Sequence, residues 1–143
     1  MALVLCVVAA GCQNSPTTPT GSDYAGEWSG TTAQGAVIAF SLSRDEKVTA
    51  ITIGHSFGSC TGSQTFQNLS LNIAPDVTCI PGPCGPGIAS YRAFHYGTGA
   101  PGGPLTSING LFLSNSRAEG TVNFGDYPGC GTVVGVGWTA TRR

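Results

Sequence analysis

Charge is what this chain lacks most. Only 9% of its 143 residues are Asp, Glu, Lys or Arg, against roughly 25% in an average globular protein. The six cations, Arg44, Lys47, Arg92, Arg117, Arg142 and Arg143, are scattered, and the net charge is −1. No basic stripe exists to neutralise phosphates, so the sequence gives nucleic-acid binding no electrostatic basis. Helix formers are also scarce: Leu, Lys, Glu and Ala thin out after the first ten positions, and no ten-residue window carries a 3.6-residue apolar period. An apolar run of the roughly 20 residues needed to span a bilayer is missing too. No two carboxylates are spaced as a general acid and base, so no cofactor or carboxylate-pair chemistry is predicted.

The chain has instead 22 glycines, six cysteines and abundant Ser and Thr. At this length it has room for one domain. A surface of Ser, Thr, Asn and Gly points to an extracytoplasmic β protein.

Ala2 to Ala10 is wholly apolar and suits the hydrophobic region of a signal peptide. It ends in Ala9-Ala10-Gly11-Cys12, which resembles the lipobox of bacterial lipoproteins. The resemblance implies cleavage before Cys12, acylation of Cys12 and anchoring in the cell envelope. Gln13 after the Cys favours the outer membrane by the same resemblance. No Lys or Arg precedes Arg44. A signal peptide opens on positive charge, so the translational start is expected upstream of Met1. Gln13 to Ser22 has two prolines and no side chain large enough to pack, so it reads as a disordered tether. The expected organisation is a signal peptide over 1–11, a lipidated Cys and tether over 12–22, and one all-β domain over 23–143.

From Asp23 onward the apolar period is two. Tyr24, Gly26, Trp28 and Gly30 share a face; so do Ile38, Phe40 and Leu42. Thr49, Ile51 and Ile53 form a third set, and Leu69, Leu71 and Ile73 a fourth. Phe94 pairs with Tyr96, with His95 on the opposite face. Ile108 to Leu113 is apolar on both sides. Val122 and Phe124 alternate with polar neighbours, as do Val134, Val136 and Trp138. Turn signals at Gln34-Gly35, Arg44 to Lys47, Asn115 to Arg117 and Tyr127-Pro128-Gly129 separate these runs. About eight antiparallel strands follow. They can close as an up-and-down barrel, the favoured arrangement, or split into a two-sheet sandwich.

Gly26-Glu27-Trp28 in the first strand resembles the Gly-x-Trp of lipocalin-like (calycin) barrels. In that family the Trp plugs one barrel end under an Arg of the last strand. The resemblance implies that Trp28 and Arg142 pack together at a barrel end, and it allows a small apolar ligand inside.

Once Cys12 is acylated, Cys60, Cys79, Cys84 and Cys130 form an even set in an exported domain, as disulfides require. Three pairings are possible. Cys79-Ile-Pro-Gly-Pro-Cys84 reads as a local clip, leaving Cys60 with Cys130. Zinc held by these cysteines, with or without His55 and His95, is disfavoured because one close Cys pair lacks a second. No metal site is predicted.

Two motifs carry chemistry elsewhere. Gly54-His55-Ser56-Phe57-Gly58 matches the nucleophile elbow Gly-x-Ser-x-Gly, with Asp76 and His95 following in hydrolase order. The elbow needs a helix after it, and Ser59 to Phe66 cannot form one, so a catalytic Ser56 is not expected. Gly97 to Gly102 matches Gly-x-Gly-x-x-Gly, but Gly103-Pro104 follows where a helix must start. Asn68-Leu69-Ser70 is a formal sequon assigned to a strand. Asp45-Glu46 sits in a hairpin turn as a solvated tip, and Asp126-Tyr127 lies beside Cys130 in another turn. The sequence therefore predicts a non-enzymatic envelope module whose partners are the membrane, through its anchor, and an envelope protein. A binder of a small apolar ligand is the alternative, and a Ser56 hydrolase a remote one.

Overall fold

The computed structural model describes residues 21–76, 91–99 and 105–143. The lipobox with Cys12, the tether up to residue 20, Cys79, Cys84 and the end of the Gly97–Gly102 motif lie outside the described residues. The chain is all-β: eight principal antiparallel strands form a curled half-barrel sheet.

A 3-10 turn, Gly21–Tyr24, leads into β1 (Gly26–Thr32), β2 (Val37–Leu42), β3 (Lys47–Phe57) and β4 (Cys60–Phe66). Two short pieces follow, β5 (Leu71–Asn72) and β6 (Ala74–Asp76), then β7 (Tyr91–Thr98), β8 (Leu105–Phe112), β9 (Arg117–Tyr127) and β10 (Gly131–Arg142). The sheet order is β4-β3-β2-β1-β10-β9-β8-β7-β6, so the first and last long strands pair at its centre. The 3-10 turn takes in the last two residues of the expected tether, because Tyr24 is buried and draws the chain onto the core.

The two sheet flanks are joined by the segment from β5 to β6. Leu71 and Asn72 pair with the start of β3, and Ala74 to Asp76 pair with β7. Between them the Ile73 N–H donates to the Glu46 carbonyl at 2.9 Å. Pro75 is tolerated because β6 ends the sheet order, where a missing ladder donor costs little. Glu46 and Arg92 pair across this join at 2.7 Å. Further along, Phe66 of β4 meets Tyr96 of β7 with ring centroids 5.0 Å apart.

Side chains fill the concave side. Trp28 stacks on Phe40 at 5.6 Å, and Phe112 meets both edge-on at 5.1 and 6.0 Å. Phe94 and Trp138 complete the layer around Phe40. Ile38, Ile51, Ile53, Ile108 and Val122 are buried about it. Each such large apolar side chain contributes about 1.5–3 kcal/mol on burial. Gly110 lets the layer close: a Cβ there would lie inside the Phe94 ring.

Three expectations need correction, two of them for one reason. A bulge adds one residue to one strand and flips the alternation beyond it. Ser41 pairs with Ala50 but Leu42 with Val48, so Thr49 is the extra residue. Val48 is buried with Ile51 and Ile53, while Thr49 turns its hydroxyl to the Ser41 carbonyl at 3.3 Å. In β10, Val133 pairs with Phe124 and Val136 with Val122, leaving an extra residue beside Gly135 at φ +67°. Val136 and Trp138 are buried, but Val134, expected with them, is 70% exposed. The Leu69 to Ile73 run is only the two-residue β5 and its flanks, and β4 is the strand that the apolar pattern missed. Its inward positions include Gly62 and Gln64, which give no apolar alternation.

Candidate functional site

The two ends of the half-barrel differ. The first end gathers the 3-10 turn, the β2–β3 turn and the last residues of β10; it is called the Trp28 end. There the Trp28 indole N–H donates to the Tyr24 carbonyl at 3.0 Å. Arg142 sits opposite Trp28 in the β1–β10 register. Its guanidinium donates to the Asp23 carbonyl, and to that of Ala25 at 3.5 Å. Trp28 and Arg142 thus reach one turn from neighbouring strands.

The opposite end, here the Cys130 end, carries the disulfide. Cys60 and Cys130 are bridged with a Cα separation of 5.9 Å, tying the β3–β4 hairpin to the β9–β10 hairpin. Behind the bridge, Phe57, Phe124 and Tyr127 pack on one another at 5.5–5.8 Å, and the His55 ring lies against all three. The imidazole has room because a side chain at Gly62 would press on its Cε1 at 3.1 Å. Thr106 is buried and donates to Gln64 Oε1 at 2.9 Å, with the Tyr127 hydroxyl 3.1 Å away. Gln64, Thr106 and Tyr127 thus form a polar chain linking β4, β8 and β9. Sequence reasoning missed it, since none of the three breaks a strand pattern conspicuously.

The hydrolase motif takes a different form from an elbow. Residues 54–57 continue β3 in extended conformation, and the chain turns only at Gly58-Ser59 into β4. Ser56 is exposed on the outer face, and its N–H donates to Gln34 Oε1 at 3.3 Å. His95 lies on β7, six strands away in the sheet order. It is exposed, as expected, with Nδ1 2.7 Å from Asn109 Oδ1. Asp76 is the last residue of β6, opposite Tyr91. Ser56 and His95 therefore stand on separate strands with different hydrogen-bond partners. Among the described residues no group of three His, Cys, Asp or Glu side chains could hold a metal.

Two turn assignments also change. Asn68 lies in a bend between β4 and β5 with φ +56°, not on a strand; Asn tolerates that conformation better than most residues. Glu46 is not a solvated tip, since it is half-buried and paired with Arg92. Asp45 does face solvent, where hydrogen bonding from Ser43, assisted by Lys47, holds its carboxyl below the usual range.

On the outer face near the Cys130 end lies a groove of about 640 Å³ between β7 and β10. Leu105 and Val134 are the exposed large apolar residues of its lining, at 46% and 70% exposure. Leu105 rests on bare backbone: a Cβ at Gly99 would collide with it, and one at Gly125 would lie 3.3 Å from it. Asn123 donates to Ser107 Oγ at 3.0 Å and accepts from the Gly135 N–H at 2.7 Å. The bulge that turns Val134 outward therefore builds one wall of the groove. A glycine inside an apolar strand was the sequence signal for that bulge. No family model matches this chain, and neither a curated protein nor a solved structure matches it.

Proposed function

We propose that this protein is a non-enzymatic module of the cell envelope, lipid-anchored through Cys12, that works through its outer surface. The observation that carries the reading is the packed layer of Trp28, Phe40, Phe94, Phe112 and Trp138. These rings occupy the space in which a lipocalin-like barrel would hold an apolar ligand. An eight-stranded barrel is narrow enough for side chains to fill it. The Cys60–Cys130 bridge is compatible with an oxidising compartment.

The test uses the full chain, expressed from its own start and extracted in mild detergent. Its native mass should equal that of the acylated chain without a retained small molecule. Cys12→Ser should release the protein from the membrane fraction. An apolar compound retained stoichiometrically would favour the ligand-binding alternative, and a Cys12→Ser variant still processed and membrane-bound would remove the anchor.

A further inference from the structure

The Cys60–Cys130 bridge joins two hairpins where each is only two strands wide. β2 pairs with β3 as far as Ile53, so residues 54–57 have β4 as their sole ladder partner among the described residues. β8 reaches β9 only to Gly125, opposite Leu105, and beyond it Tyr127 pairs with Gly131 of β10. A two-stranded ribbon is marginal in water by itself. Besides the disulfide, the two tips meet through rings: His55 and Phe57 lie on Phe124 and Tyr127 at 5.2–5.6 Å. The Gln64–Thr106 and Phe66–Tyr96 contacts hold the other half of β4, away from the tip. The two sulfurs also differ. Cys130 packs on the core cluster, whereas Cys60 opens the strand that ends the sheet order. A disulfide sulfur carries no hydrogen, so the Ser59 hydroxyl donates to Cys130 Sγ, at 3.7 Å.

We propose that the Cys60–Cys130 bond is a reducible latch: a protein dithiol opens it from the Cys60 side, and the β3–β4 tip then leaves the aromatic cluster while the centre of the sheet stays folded. One thiolate of the dithiol attacks Cys60 Sγ. The Cys60–Cys130 bond breaks, a bond from the attacker to Cys60 forms, and the electron pair leaves on Cys130 Sγ. The second thiolate attacks the sulfur of the first and releases Cys60. Two electrons and two protons have then passed to the cysteines, and the dithiol has become a disulfide. A hydrogen bond to a charged acceptor is stronger than one to a neutral acceptor, so Ser59 favours Cys130 as the leaving sulfur. Once the bond is open, ring contacts alone must offset the entropy of holding two ribbons together. Opening stops at Ile53, where β2 again flanks β3. The closed form covers Phe57, Phe124 and His55, and the open form presents them.

The experiment starts from the full chain with its bridge formed. Limiting glutathione is added, free thiols are trapped with N-ethylmaleimide, and the peptides are mapped by mass spectrometry. Glutathione on Cys60 with maleimide on Cys130 should exceed the reverse pattern about tenfold, and Ser59→Ala should bring the ratio to within about threefold. Ser59 is exposed in its turn, so that variant is expected to fold, which circular dichroism checks. The map scores Cys79 and Cys84 on their own peptides. Hydrogen exchange then follows the chain fully reduced with dithiothreitol. Amides of residues 54–63 should exchange within about tenfold of the unfolded chain, and those of β1 and β9 at least about a hundredfold slower than it. Glutathione mainly on Cys130, or an unchanged ratio in Ser59→Ala, would overturn the direction of opening. Protection lost from every strand would make the bridge a support of the whole fold, and protection kept at 54–63 would remove the latch. A chain without an acyl group on Cys12 gives the same readouts, so the anchor and the latch fail separately.

Discussion

Trp28 and Arg142 face each other across the β1–β10 ladder, and both bond backbone carbonyls of the same entry turn. The turn is therefore held from two strands that are distant in sequence. Trp28→Phe keeps most of the buried ring but strands the Tyr24 carbonyl, and should cost about 1–3 kcal/mol. Arg142→Met keeps an apolar stem and loses both carbonyl contacts, for about 1–2 kcal/mol. The double variant should lose less than the sum, because the two act on one turn. Urea denaturation of the full chain measures all three, and strict additivity would show that the side chains act separately.

The Cys60–Cys130 bridge closes a loop with a sequence separation of 70. Chain-entropy reasoning gives about 4 kcal/mol for such a loop. Cys60→Ser, Cys130→Ser and the double variant should lose similar stability, because either single change already breaks the bond. Non-reducing peptide mapping should recover the Cys60–Cys130 pair. A mapped Cys79–Cys130 link would contradict both the fold and the estimate.

Gly110 faces Phe94 with no room for a methyl group. Gly110→Ala should cost about 1–3 kcal/mol through overpacking. Phe94→Leu in the same chain should return part of that loss by opening space. A lowered melting temperature for the single variant and partial recovery in the double are the expected results. An unchanged melting temperature for Gly110→Ala would mean that the aromatic layer yields easily.

Burial pushes the Tyr24 hydroxyl above the ordinary 10.0, with the Arg92 charge pulling the other way. Below pH 10 the folded and unfolded chains both keep this proton, so its contribution is fully present. Above pH 10 the unfolded chain ionises first, and stability falls until folded Tyr24 ionises as well. Tyrosine absorbance should show one late-titrating group, and Tyr24→Phe should flatten the loss of stability at alkaline pH. Simultaneous titration of every tyrosine would contradict the buried position.

The strand periods of β1, β2, β7 and β9 were legible because each alternates apolar and polar residues through a half-buried sheet, whereas β8, read as apolar on both sides from Ile108, alternates from Leu105 to Phe112. The Cys60–Cys130 pairing was legible from cysteine number and turn chemistry. Register was not: the bulges beside Thr49 and Gly135 depend on the partner strand, and one shifted residue exchanges inside for outside. β4 was invisible because Gly62 and Gln64 point inward where an apolar side chain usually stands. The groove inherits both difficulties. Leu105 and Val134 look like core residues in sequence, and only the bulge and the start of β8 turn them outward.

The position of β10 between β1 and β9 has a consequence in time. A chain made from its N-terminus presents β1 long before its partner exists, with Trp28 and Arg142 separated by most of the polypeptide. Until the last dozen residues arrive, the two flanks can meet only through the short β5–β6 segment, and β1 and β9 each lack the strand that lies between them. Such late, long-range pairing makes folding slow, and it leaves the emerging chain open for longer. A polypeptide threaded across a membrane must stay open for just that interval, so a fold that cannot finish early suits transport before folding.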